Sequence, residues 1–158
     1  MILVDTNVLI YAIQGNAPHH GPSRQVIESL ESGTVLACVF PQILLEFFAV
    51  ITDARRMEKP ATLDEGLNLV ERYSALFPVL QPSPAALSIL YSLVAESKVT
   101  GQRIFDSYIV AQMMDVGIQT ICTYNIKDFD GHPVTALTPE DILRGKTDSP
   151  LVHDRPRE

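Results

Sequence analysis

Four carboxylates stand where a chain can gather acids at one edge of a sheet: Asp5, Glu46, Asp106 and Asp128. Asp5 directly follows the apolar run of residues 2–4. In an open parallel sheet the residue after a strand lies at the carboxyl edge, where ligand crevices form. Asp128 belongs to the loop Tyr124-Asn125-Ile126-Lys127-Asp128-Phe129, which follows the strand-like run 120–123, so Thr123, Asn125 and Asp128 should reach that same edge. Glu46 lies within Ile43-Leu44-Leu45-Glu46-Phe47-Phe48-Ala49-Val50-Ile51, a helical segment that offers no evident polar face. Ionised carboxylates are buried only with a partner or a metal. Asp106 opens a helix after Arg103-Ile104-Phe105, backed by an apolar-rich wall of Tyr108, Ile109, Ala111 and Met113.

Clustered carboxylates cannot all stay ionised at short range without a cation. All-oxygen ligation selects a hard ion, magnesium or manganese, and such a centre suits phosphodiester hydrolysis. His19, His20, His132 and His153 form no HExxH or paired-cysteine pattern, which speaks against zinc. The chain also has no GxGxxG, no Walker loop and no GxSxG elbow, so no organic cofactor is expected. Thr6 and Ser107 read as hydrogen-bonding support for the acids rather than as nucleophiles, and Asn7, Thr123 and Asn125 are supporting polar groups.

Each acid also has a plain structural reading. Asp5 could cap a helix starting at Thr6, Glu46 could pair with a distant residue such as Arg103, Asp106 could favour a helix dipole, and Asp128 could be a solvated loop residue. Asn125 and Lys127 read first as turn residues. It is the set that points to chemistry.

These residues need an alternation of strands and helices to meet. Residues 2–4, 35–40, 78–80, 120–123 and 134–137 read as strands. Residues 6–13, 23–30, 41–56, 63–76, 85–94 and 106–116 read as helices, the second stopping near Gly33. Pro41 suits a first helical turn, and Thr138-Pro139-Glu140-Asp141 has a capping-box pattern. The expected class is α/β, a mostly parallel central sheet flanked by helices. Residues 1–143 should form one domain and residues 144–158 a flexible tail.

A formal net charge of −7 argues against nucleic-acid binding through a broad basic surface, yet permits a nuclease with an acidic centre. Cys38 and Cys122 lie in apolar runs as small hydrophobes, which suits a reducing compartment without excluding a single disulfide. No signal peptide is visible, and the apolar stretch 35–51 is interrupted by Pro41, Gln42 and Glu46. A cytoplasmic protein without a membrane span is expected.

The pieces Ile2-Leu3-Val4-Asp5-Thr6-Asn7-Val8-Leu9, Leu45-Glu46-Phe47, Phe105-Asp106-Ser107-Tyr108-Ile109-Val110-Ala111 and Thr123-Tyr124-Asn125-Ile126-Lys127-Asp128-Phe129 occur in one order. Together they resemble a PIN domain, and more narrowly a VapC-type toxin nuclease of a toxin–antitoxin pair. The resemblance runs from Met1 to about Leu137. It implies that Asp5, Glu46 and Asp106 bind magnesium or manganese, with Asp5 and Asp106 as direct ligands, and that Asp128 matches the family's final aspartate. Ser107 stands where alanine is commoner, Tyr124 where arginine or another polar residue is frequent, and the Asp106-to-Asp128 spacing is slightly long. The resemblance further implies an RNA substrate, a homodimer, and a cognate antitoxin that covers the acidic groove. Ile43, Phe47 and Val50, or Leu87, Leu90 and Tyr91, could serve those protein contacts, and Arg55, Arg56, Lys98 and Arg103 could hold RNA phosphates.

The expectation is an endoribonuclease acting through metal-held water. Two rivals stay open: another magnesium phosphohydrolase with Asp5 as nucleophile, and a non-catalytic module that binds protein or RNA.

Overall fold

A computed structural model describes residues 1–32 and 35–146 of the chain. Its centre is a four-stranded sheet in the order β2-β1-β3-β4, with β1 Ile2–Val4, β2 Ala37–Cys38, β3 Thr120–Cys122 and β4 Thr135–Leu137. Every pairing is parallel, with Leu3 opposite both Cys38 and Ile121, and Ile121 opposite Ala136. β1 and β3 are buried along their whole length, in keeping with the unbroken apolar Ile2–Val4 and with Ile121 and Cys122. The helices are α1 Thr6–Ile13, α2 His20–Glu31, α3 Pro41–Ile51, α4 Leu63–Leu76, α5 Ala85–Ser97, α6 Arg103–Val116 and α7 Pro139–Leu143. The molecule is thus α/β, as expected.

This strand order positions the site. From β1 the chain passes to β2 on one side, and β3 pairs on the other side, so the connections diverge at the β1/β3 edge. That divergence opens a crevice at the carboxyl ends of the strands. Asp5 follows β1 there and Thr123 follows β3, and the Asp5 amide donates to the Cys122 carbonyl at 3.0 Å. Cys38 and Cys122 are free and buried, in strands on opposite flanks of β1. Two strand spacings, roughly 9–10 Å, separate those strands, too far for a disulfide.

Several boundaries differ from expectation for local reasons. Only Ala37–Cys38 of the run 35–40 joins the sheet. β1 pairs with it only through Ile2 and Leu3, and Val39 instead bridges Val79 in the segment expected as a strand. α3 stops at Ile51 rather than near Arg56. Thr52 Oγ1 bonds back to the Phe48 carbonyl, and Asp53 accepts from the Arg55 amide and guanidinium, so side chains compete with the helical ladder. α2 begins earlier, at His20, because Pro22 is tolerated in a first turn. α6 begins at Arg103, which still leaves Asp106 in its first turn, and closes on Gly117 at φ 75°. α5 runs on past the expected residue 94 to Ser97.

The capping box at Thr138 forms with Asp141, and Lys146 Nζ ties the following residues back to Asp141 at 2.9 Å. Gly33 and residues 147–158, most of the expected tail, lie outside the described residues. No described helix is long and apolar enough to cross a membrane. Of the apolar residues that could serve protein contacts or plain core, Ile43, Phe47 and Leu90 are core residues, whereas Leu87 and Tyr91 are exposed.

Candidate active site

Asp5 is only 7% exposed, and its extended backbone makes it the N-cap of α1. Its Oδ1 accepts from the Thr6 amide at 2.7 Å. Its Oδ2 accepts from Asn7 Nδ2 at 2.8 Å and from Thr123 Oγ1 at 2.6 Å. Capping and membership of an acidic site therefore coexist. Burial pushes the Asp5 carboxyl up to about 6 against the pull of its hydrogen bonds, and the negative charges of Glu46 and Asp106 add to the rise.

Glu46 corrects an expectation. α3 does carry a polar stripe, because Gln42 one turn earlier shares the face of Glu46, while Leu45 is 70% exposed. Glu46 is half-buried rather than sealed among apolar groups. Its Oε2 accepts from Thr6 Oγ1 at 3.2 Å and its Oε1 from Gln42 Nε2 at 2.7 Å. Among the described residues it forms no ion pair with Arg103.

Asp106, half-buried on α6, is also raised above the usual carboxylate range. Burial is the main cause, followed by the charges of Asp128 and Glu46, while Arg103 opposes the rise. Asp5, Glu46 and Asp106 line one recess of about 190 Å³ with Thr6, Asn7 and Asn125, walled by Ile10, Ile109 and Phe129. Asp128 is exposed on a single 3₁₀ turn, Ile126–Phe129, and does not line the recess. Its charge nevertheless reaches Asp106. Ser107 is buried away from the recess and bonds no site carboxylate, contrary to its expected support role. Larger recesses, of about 410 and 520 Å³, lie around α4 and lack such a cluster of acids.

A polar lattice ties the loops after β1 and β3 together. Thr123, fully buried, accepts from Asn7 Nδ2 and from the Asn125 amide, both at 3.0 Å, while donating to Asp5. Asn7 Oδ1 accepts from the Tyr124 amide at 3.1 Å. The Tyr124 ring stacks on His19 at 3.9 Å and meets Tyr11 edge-on at 5.4 Å, and its hydroxyl lies within bonding distance of Ser23 and Glu140. Sequence reasoning noted Tyr124 only as a departure and missed this anchoring. It also missed Gln42 and Gln112, although the four-residue spacing of Gln42 and Glu46 was visible.

The donor set fits a hard divalent ion. No His, Cys, Asp or Glu trio among the described residues closes tightly enough to cage a metal unaided. Magnesium, however, keeps several waters and takes only one or two carboxylates. The recess offers carboxylate and amide oxygens and no histidine or thiol, and the negative charge of Glu46 adds to the burial that raises both Asp5 and Asp106. Asp5, Glu46 and Asp106 are the residues that would hold the ion.

Comparison with known proteins identifies the family and the fold. A family model described as PIN domain matches residues 2–131. No curated protein sequence matches the chain. Among solved structures, a toxin-antitoxin complex from Klebsiella pneumoniae is similar at 21% identity and a TM-score of 0.62, covering 88% of this chain and 98% of that one. FitAcB from Neisseria gonorrhoeae is similar at 18% identity and a TM-score of 0.62, covering 89% and 99%. VapC20 of Mycobacterium tuberculosis, described as a sarcin-ricin loop cleaving toxin, is similar at 14% identity and a TM-score of 0.59, covering 84% and 96%.

Proposed function

The chain belongs to the PIN domain family, and on that premise we propose that it is a magnesium- or manganese-dependent endoribonuclease, the toxin of a toxin–antitoxin pair. The observation that carries this reading is the convergence of Asp5, Glu46 and Asp106, from the end of β1, from α3 and from α6, on one recess where the charge of Glu46 adds to the burial that raises both aspartates. A bound divalent ion there supplies Lewis-acid shielding of a phosphate and an acidified water.

The chain's own residues do the positioning. Asp5 is held by three donors, so its open lone pairs have a fixed direction. Thr6 and Gln42 orient Glu46, and Asp106 faces them from α6. Asp128, outside the recess, acts at its edge through charge on Asp106. The nucleophile reading of Asp5 is less favoured, because both its oxygens are already engaged by protein donors.

Partners follow from the neighbours, several of which are toxin–antitoxin complexes. An antitoxin would cover the acidic groove, and a homodimer would use exposed apolar groups such as Leu87 and Tyr91. The test is incubation of the purified chain with structured RNAs in magnesium or in excess chelator, repeated with Asp5→Asn. Metal-dependent cleavage lost in the variant is expected; cleavage in chelator, or full activity of Asp5→Asn, contradicts the reading.

A further inference from the structure

Glu46 enters the recess with both oxygens engaged, and one of its donors is itself held by a third side chain. Gln112 on α6 is 3% exposed, and its Nε2 donates to Oε1 of Gln42 at 2.7 Å. Nε2 of Gln42 donates in turn to Oε1 of Glu46 at 2.7 Å. Thr6 Oγ1 donates to the other oxygen. Neither glutamine lines the recess. Gln112 lies between the buried Ala111 and Met113, where an apolar side chain would incur no desolvation cost.

We propose that Gln112 and Gln42 are positioning residues for Glu46, an amide relay from α6 to α3 that fixes how its carboxylate faces the recess. The inference rests on the reading of that recess as an ion-binding nuclease centre. Its logic is the direction of donors and acceptors. An ionised carboxylate only accepts, so Gln42 must present its NH2 to Glu46. The Gln42 oxygen then points toward α6, where a sheltered acceptor needs a donor, and Gln112 provides one. Without Gln112 the Gln42 oxygen loses its sheltered donor, and the amide is held only at its NH2 end, where it is free to swing with the Glu46 carboxylate. With it, Gln42 and Thr6 each occupy a site on one oxygen of Glu46, and the remaining lone pairs hold one orientation relative to Asp106, which shares α6 with Gln112.

The experiment compares Gln112→Met and Gln42→Met with the unaltered chain, using thermal unfolding to confirm the fold. In metal-free protein, the Gln42 side-chain amide resonances should move in Gln112→Met and in Glu46→Ala alike. Calorimetric manganese affinity should weaken by about 10-fold in both glutamine variants. Gln42 is only half-buried, so Gln42→Met keeps the test open should Gln112→Met not fold. Unmoved Gln42 resonances in Gln112→Met, or unaltered manganese affinity in a folded variant, overturn the relay. If the unaltered chain binds no manganese, the reading of the recess fails, and the resonances still decide whether the relay exists.

Discussion

The hydroxyl of Thr123 accepts from Asn7 and the Asn125 amide and donates to Asp5, using its one proton and both lone pairs. Thr123→Val keeps the shape and removes every bond, leaving the Asn125 amide without its acceptor and Asn7 Nδ2 with Asp5 alone. It should cost about 1–3 kcal/mol in urea denaturation, whereas Thr123→Ser should cost far less. The Asp5 carboxyl makes a second prediction. Its folded-state value of about 6 lies above the ordinary 3.8, so the unfolded chain ionises first as pH rises. The metal-free protein should therefore lose stability between about pH 4 and 6, by on the order of 3 kcal/mol from Asp5, with the loss persisting at higher pH. Denaturation in chelator across this range should show the loss, and Asp5→Asn should diminish it. Asp5 and Asp106 were legible because strand-end and helix-start positions are local. The reason given for Glu46 was not sound: Gln42, one turn before it, gives its helix a polar side, and only the meeting with Gln112 on α6 depended on the tertiary fold.

At the level of elements, α4 lies against α3 closely enough that a Cβ on Gly66 would stand 2.9 Å from both the Phe48 ring and the Thr52 methyl. Gly66→Ala should therefore destabilise by about 1–2 kcal/mol despite the better helix propensity of alanine, and thermal unfolding would register it. The bounds of α4 were legible from its regular apolar spacing, and the capping box of Thr62 and Glu65, a signal that the sequence reading left unused, fixes its start. α1 and α7 were legible for the same kind of local reason, a capping side chain at Asp5 and at Thr138. β2 was not, because Val39 turns away from β1 to a partner forty residues away in sequence. The end of α3 was hidden in the competition of Thr52 and Asp53 side chains for the backbone.

The whole molecule is acidic, at −7, and few cations stand near its recess. Arg103 acts on Asp106, Lys127 neighbours Asp128 in sequence, and Arg55 is already paired with Asp53. RNA association should accordingly be weak in its salt dependence, with a log–log slope of about −1 to −2 for two phosphate contacts; a much steeper slope would reveal a basic surface elsewhere. Strand order 2-1-3-4 followed from the alternation of elements only as a class, whereas the β1/β3 divergence that gathers the acids needed the tertiary pairing itself. The most direct measurement is the cleavage rate of a structured RNA in magnesium, for the unaltered chain and for Asp106→Asn with its fold confirmed. The account predicts a fall of more than about 100-fold, beyond the loss usual for outer-shell partners of a metal. An unchanged rate in Asp106→Asn would contradict it.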